Sequence, residues 1–539
     1  MSVKNLFENY FEEYIEHYPT MATFIGINKY NHMYPNYYSD QEILKSKNFD
    51  KKYLGLIVKA EKKKLSLRDT HHLKVLKSRI LSNLDSYKYE FHLLPLDQFN
   101  NFIINYLDMA SGLSYLPLKT KKDFNNLIIK TTNFFELIDT TICRMREGIS
   151  RNLVFSKIIM EKTLKQLKNV IKTKDYLVED KKIPADLKKK YYEVLDKQFT
   201  KKIKKVIKFL ENDYIPKCSN DLKYPGGPKV YKYLVKKYTT LKNPSIPNIH
   251  KLGLTEVERI NKEINKLFKS NDMIKPTNNN LRTMTFKTKS NVLKDYERVR
   301  NIINKKLIPK YFNVKISHDY LLKKVPTFKE ENDAGAYYMM CSIDNKRKGT
   351  FFLNLGKVED HQTYSTFSLS LHEGNPGHHF QLTLANDLNL PNFVTYCDDE
   401  ISYVEGWALY AESLAHDFLK DSTDKKDIMY RFGCYNYEMM RACRLVVDTG
   451  IHYYGWNFKK CFDFMKKYTT FSNNEIETEI YRYVVYAGQA LSYKIGELKF
   501  KELREYYLKN KKGTIKDFHK KVLEMGSCSM ELLEKMIKK

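Results

Sequence analysis

Histidines crowd around a carboxylate in one run of this 539-residue chain, His372-Glu373-Gly374-Asn375-Pro376-Gly377-His378-His379-Phe380-Gln381. These residue types are those of the H-E-x-x-H arrangement, in which two imidazoles one helical turn apart hold Zn²⁺ and the intervening Glu activates a water. Here the second imidazole comes late. Six residues of regular helix rise about 9 Å, whereas two nitrogens that each lie about 2.0–2.1 Å from one zinc are no more than about 4 Å apart. The helix must therefore bend, and Pro376 with Gly377 supplies the means: proline removes the N–H that would bond back to residue 372, and glycine accepts backbone angles that other residues avoid. The same residues also read as a plain helix end, with Pro-Gly as the stop and the histidines as polar capping groups.

A catalytic zinc takes three protein ligands and leaves one position open. The run Tyr403-Val404-Glu405-Gly406-Trp407-Ala408-Leu409-Tyr410-Ala411-Glu412 offers two carboxylates on one helix face, about 10.5 Å apart along the axis, so only one can reach the metal. Glu405 is the preferred third ligand. Glu412 is better placed to support a ligand histidine from behind. Hydrolysis at a carbonyl also needs donors fixed in advance where negative charge develops. His452, at the end of Arg441 to His452, and Tyr486 and Tyr493, in Tyr486 to Gly496, qualify chemically. Taken singly, each reads more often as a packed aromatic or a helix-end histidine. Arg444 and Lys494 are the cations suited to a substrate carboxylate, and Gln489 adds an amide.

The elements that must position these residues are mostly helices. With 20 Gly and 15 Pro in the whole chain there is little punctuation for a strand-and-turn architecture, and helical periodicity marks Leu6–His17, Lys121–Arg146, Ala185–Glu211, Ile249–Phe268 and Ser290–Lys306. The one β-element expected is a short hairpin near residues 335–356, formed by Ala336–Ser342 and Gly349–Leu355 around Asp344–Gly349. Its edge could pair with an extended peptide. The turn cluster Tyr224-Pro225-Gly226-Gly227-Pro228 suggests an N-terminal helical lobe, 1–225, and a lobe carrying the motifs, 226–539, within one long unit. The lobes are expected to meet at a cleft containing His372. An α/β hydrolase architecture is the alternative fold.

The net charge of +29 invites a polyanion as partner, but the positive residues are overwhelmingly Lys, spread along the chain within helical patterns. They read first as solvated faces, so a basic nucleic-acid-binding protein stays an alternative, beside a catalytically inactive helical scaffold. No Gly-Lys-Ser/Thr phosphate loop and no G-x-S-x-G elbow occurs. The eight cysteines form no C-x-x-C pair, which speaks for reduced thiols in the cell. With no signal peptide and no long uncharged apolar stretch, a cytoplasmic protein without a membrane partner is expected. Oligomeric state is not readable.

Four ordered motifs, His372 to Gln381, Val404 to Glu412, Arg444 to His452 and Gly488 to Gly496, resemble those of the DUF885 family, as do Ile249–Ile260 and Phe518-His519 with Val522-Leu523 and Gly526. The likeness runs from Pro19 and Gly26 to Leu533. The resemblance implies a single long, mostly helical catalytic unit of the gluzincin kind, with one zinc held by His372, His378 and Glu405. It also implies Glu373 as base and peptide hydrolysis as the reaction; Arg444 and Lys494, as cations for a substrate carboxylate, point to short peptides, in the manner of a carboxypeptidase or dipeptidase. It favours His378 over His379. The chain departs from the family pattern at Ala487 and at Ser527-Cys528-Ser529-Met530, neither of which touches an implied ligand.

Overall fold

The computed structural model describes residues 2–325, 330, 335–397, 400–510 and 513–539. Helix makes up 68% and strand 3%. The all-α expectation therefore stands, and an α/β hydrolase, which needs a large parallel sheet, does not fit. Among the described residues no helix is long and apolar enough to cross a membrane. The chain divides into two compact units, Met1–Gly227 with Ser342–Asp344, and Pro228–Cys341 with Asn345–Lys539.

The first unit is helical. Its longest helix, Lys121–Ser150, starts at a capping box in which the Thr120 hydroxyl accepts the Asp123 N–H while the Asp123 carboxylate accepts that of Thr120. Phe124, Leu127, Thr131, Phe134, Ile138, Ile142 and Met145 recur at helical spacing and are buried along one face. Tyr106 stacks on Phe134 with centroids 4.0 Å apart. The single helix expected over Ala185–Glu211 is corrected to α-segments Lys188–Tyr192 and Phe199–Phe209, with wider π turns at Glu193–Gln198 and Leu210–Tyr214. Buried Tyr191, Leu195, Phe199 and Ile203 recur every four residues. On a 3.6-residue helix that spacing drifts off the face by about 40° per step, and a wider turn restores it.

In the second unit a 28-residue helix, Lys425–His452, is buried along most of its length and packs on Ile246–Lys269. The helix carrying Glu405, Ile401–Phe418, crosses the one carrying Tyr493, Leu491–Asn510, glycine against glycine. A Cβ on Gly406 would lie 2.5 Å from Gly496 Cα, and one on Gly496 would lie 2.0 Å from the Ser402 carbonyl oxygen. No other residue permits this approach, which sets the separation of the side chains on either side.

The expected hairpin is present as strands β2 (Ala336–Met339) and β3 (Thr350–Leu353), antiparallel with Ala336 opposite Leu353. A further strand, β1 (Leu321–Lys324), runs parallel to β3, giving the order β1-β3-β2. Phe351 and Leu353 pack with Val292, Tyr296 and Tyr320, and Leu369 of the His372 helix packs against this cluster. The sheet thus backs the histidine run.

Asp448, near the C-terminal end of the long helix, is buried and accepts hydrogen bonds from the Tyr231 hydroxyl (2.6 Å) and the Gly488 N–H (2.9 Å). Burial lifts its carboxyl to about 7, against the partial opposition of those two donors. The unfolded chain releases this proton near pH 4. The folded state therefore holds the extra proton between about pH 4 and 7, and stability from this group falls as pH rises through that window. Asp448→Asn keeps an acceptor for Gly488 and can donate to Tyr231. We expect its stability relative to the wild type to improve by up to about 1.4 kcal/mol per pH unit across the window. Thermal melts of both proteins at pH 5 and pH 7.5 check this, and a gap that does not change with pH would refute it.

Candidate metal centre

The His372 helix, Thr366–Glu373, is buried on nearly every side and stops at Glu373; a second helix, His378–Asp387, begins five residues later. The expected bend is thus a break. A Cβ on Gly377 would lie 1.9 Å from the His372 carbonyl oxygen, so glycine alone lets the chain fold back against the helix end. Trp407, from the Glu405 helix, pins the loop by donating its indole N–H to the Pro376 carbonyl at 2.8 Å. The two rings arrive nearly perpendicular, 82° apart, with centroids separated by 4.8 Å.

Three donors converge there. Glu405 Oε2 lies 3.3 Å from His372 Nε2 and 3.4 Å from His378 Nε2. A tetrahedral ion with bonds of about 2.0–2.1 Å places neighbouring donors about 3.3–3.4 Å apart, so this spacing fits three ligands of one ion. Glu405 Oε2 is buried and makes no hydrogen bond, as expected of an oxygen kept for a cation. One ligand atom from each of His372, Glu373 and His378 also falls within 4.8 Å of the others. The donor set, two imidazoles and a carboxylate with a second carboxylate alongside, suits zinc.

The electrostatics point the same way. Burial opposes a charge on His372, yet the carboxylates of Glu405 and Glu412 overrule it and lift the imidazole to about 9. Burial likewise opposes ionisation of Glu405, but His372 and His378 hold its carboxyl well below the usual range. The centre calls for positive charge. Glu373 differs: burial pushes its carboxyl above the ordinary range, with His372 and His378 opposing only in part, as suits a general base.

Glu412 stands behind the cluster. It accepts His372 Nδ1–H at 2.7 Å and the Ser368 hydroxyl, and Arg441 Nη2 lies 3.6 Å away. This fixes the tautomer that leaves His372 Nε2 a lone pair. Glu412→Ala is expected to weaken zinc binding about 10- to 100-fold, measured by competition with a chromogenic chelator. A change below about twofold would mean that the His372–Glu412 bond does not orient a ligand.

The remaining residues expected from sequence divide. His379 turns to the sheet, bonded to the Tyr338 hydroxyl (3.0 Å) and the His318 carbonyl (3.1 Å), and burial takes its imidazole down to about 3. The Tyr493 hydroxyl donates to Glu405 Oε1 at 2.9 Å. Arg444 is buried, bonded to Glu479 Oε2 through Nη2 (2.7 Å) and Nε (3.1 Å), with its guanidinium 4.4 Å from the Tyr493 ring centroid. His452 Nε2 is spent on the Tyr483 carbonyl at 2.9 Å, and its ring packs on Tyr231. Tyr486 is half-buried where the helix Asn473–Val485 ends, its N–H on the Arg482 carbonyl. Gln489 is half-buried, with Oε1 enclosed and unbonded.

Lys494 is a correction. Expected as a cation for substrate, it is fully buried, and its ammonium meets Glu438 (2.6 Å), Glu497 (2.6 Å) and Glu256 (3.0 Å). Three carboxylates use all three donors, so it ties helices together. Arg482, which sequence reasoning passed over, donates Nη2 to the Tyr493 hydroxyl at 3.1 Å. In sequence it reads as an ordinary surface partner of Glu479 three residues earlier.

Residues 19–537 match the family described as a bacterial protein of unknown function, DUF885. Among solved structures, a putative lipoprotein from Colwellia psychrerythraea aligns with a TM-score of 0.85 at 22% identity, covering 99% of this chain and 98% of that one. A putative lipoprotein of unknown function from Shewanella oneidensis aligns with a TM-score of 0.75 at 16% identity over 100% of both chains. At these identities the likeness shows a shared fold. No curated protein matches the chain.

Proposed function

Because the chain belongs to the DUF885 family over nearly its whole length, and that family's description assigns no activity, we propose a function from the centre itself: a one-zinc hydrolase that cleaves peptide bonds in short peptides. The observation that carries the reading is the unbonded, buried Glu405 Oε2, 3.3 and 3.4 Å from two imidazole nitrogens.

His372, His378 and Glu405 would hold the ion. When bound, zinc supplies Lewis-acid polarisation and a water of lowered pKa. Glu373 takes the proton of the attacking water and returns it to the leaving amine. Its position one residue after a ligand histidine, and its raised carboxyl, serve both transfers. Tyr493 spends its single O–H on Glu405 Oε1, so it orients the carboxylate and leaves Oε2 facing the histidines. Tyr486, one turn beyond Arg482, is the phenol we assign to the developing oxyanion. Strand β2, at the sheet edge and packed on the His372 helix, offers backbone groups to an extended substrate.

A mixed peptide library digested by the purified protein and read by mass spectrometry tests the reading. Cleavage that chelation abolishes and added zinc restores is expected. Intact peptides after incubation with fully zinc-loaded protein would refute it.

A further inference from the structure

We propose that Arg482 anchors the free C-terminal carboxylate of the substrate, so that the enzyme cuts within the last one or two residues of a short peptide; this rests on the peptide-hydrolase reading above. Three guanidiniums stand around the centre. Arg441 faces Glu412, while Arg444 and Arg482 share Glu479. Their side chains differ in access: Arg441 is 5% exposed and Arg444 3%, whereas Arg482 is 30% exposed. A substrate can reach only the last.

Arg482 is also more weakly compensated than Arg444, which shares its carboxylate. Arg444, at 2.7 and 3.1 Å, and the Tyr483 hydroxyl, at 2.8 Å, make the short contacts to Glu479 and leave Arg482 Nη1 at 3.5 Å from the same carboxylate. Its one good hydrogen bond, to the Tyr493 hydroxyl, uses a single N–H of five. The charge around the centre agrees. Glu373, Glu405, Glu412 and Glu479 face Arg441, Arg444 and Arg482, and a divalent ion turns that deficit into one excess positive charge, which an anionic substrate group neutralises.

The position sets the register of cleavage. Two hydrogen bonds, of 3.1 and 2.9 Å, separate Arg482 from the metal-facing carboxylate of Glu405 through Tyr493. An extended residue spans about 3.3–3.6 Å. A carboxylate held in the guanidinium fork therefore leaves room for one or two residues before the scissile carbonyl.

Binding, measured without turnover, tests the assignment. An N-acetylated tripeptide and its C-terminal amide are titrated calorimetrically into zinc-loaded Glu373→Gln protein, with and without Arg482→Gln, after zinc content and circular dichroism confirm that each variant is folded. The acid is expected to bind at least about tenfold more tightly than the amide, and Arg482→Gln to erase that preference while amide binding persists. Arg482→Lys, which keeps the charge and loses the fork, should restore part of it. If Arg482→Gln weakens both peptides equally, the arginine only positions Tyr493, and the proposal fails. Equal affinity of acid and amide before the arginine is changed also overturns it while leaving peptide hydrolysis standing. No binding of either peptide overturns the peptide reading and this inference together.

Discussion

Glu373→Gln is expected to keep a full complement of zinc and to lower kcat/KM for peptide cleavage by about 100- to 10,000-fold. Glutamine has the shape of the glutamate and cannot accept the proton of an attacking water. Glu373 is not among the three donors at metal spacing, which are His372 Nε2, His378 Nε2 and Glu405 Oε2. Its loss should therefore spare the metal. Burial already pushes the Glu373 carboxyl towards its neutral form, so the substitution also removes a desolvation cost, and the fold should tolerate it. Parallel measurement of zinc content and initial rates separates the two effects. Undiminished cleavage would remove Glu373 from the mechanism; loss of zinc together with activity would make it a ligand.

The second large effect separates two adjacent histidines. His378→Ala should bring zinc from about one per chain to near zero after dialysis, because two remaining ligands do not hold the ion. His379→Ala should keep its zinc. Its bonds run to Tyr338 and to the His318 carbonyl, so its removal leaves buried polar groups unpaired and costs about 1–3 kcal/mol of stability instead. Metal analysis and thermal melts of the two variants check both halves. The reverse pattern, with zinc lost from His379→Ala and kept by His378→Ala, would place the metal on the other face of the helix.

These variants also mark how far the sequence can be read. The helix Lys121–Ser150 is legible because its apolar residues recur at helical spacing after a Thr-x-x-Asp start, both local properties. The hairpin is legible from its aromatic and apolar runs on either side of a turn-like segment. Strand β1 is not: Leu321-Leu322-Lys323-Lys324 has no alternation and is largely exposed, and it is a strand because its backbone pairs with β3. In the centre, residue type and the Pro-Gly break bring His372 and His378 to attention. What separates His378 from His379 is Tyr338, on a strand 41 residues away in sequence. Lys494 and Arg482 show the same limit. Both are cations close in sequence to the motifs, and only the three-dimensional placement of Glu256, Glu438 and Glu497 shows that the lysine is spent, while Tyr493 shows where the arginine points.

The most direct test of the metal centre is anomalous scattering at the zinc edge from crystals of the protein grown with zinc. The account predicts one strong peak per chain, within about 2.0–2.2 Å of His372 Nε2, His378 Nε2 and Glu405 Oε2. A map without a peak at this position, or one in which zinc is bound without Glu405, would contradict it.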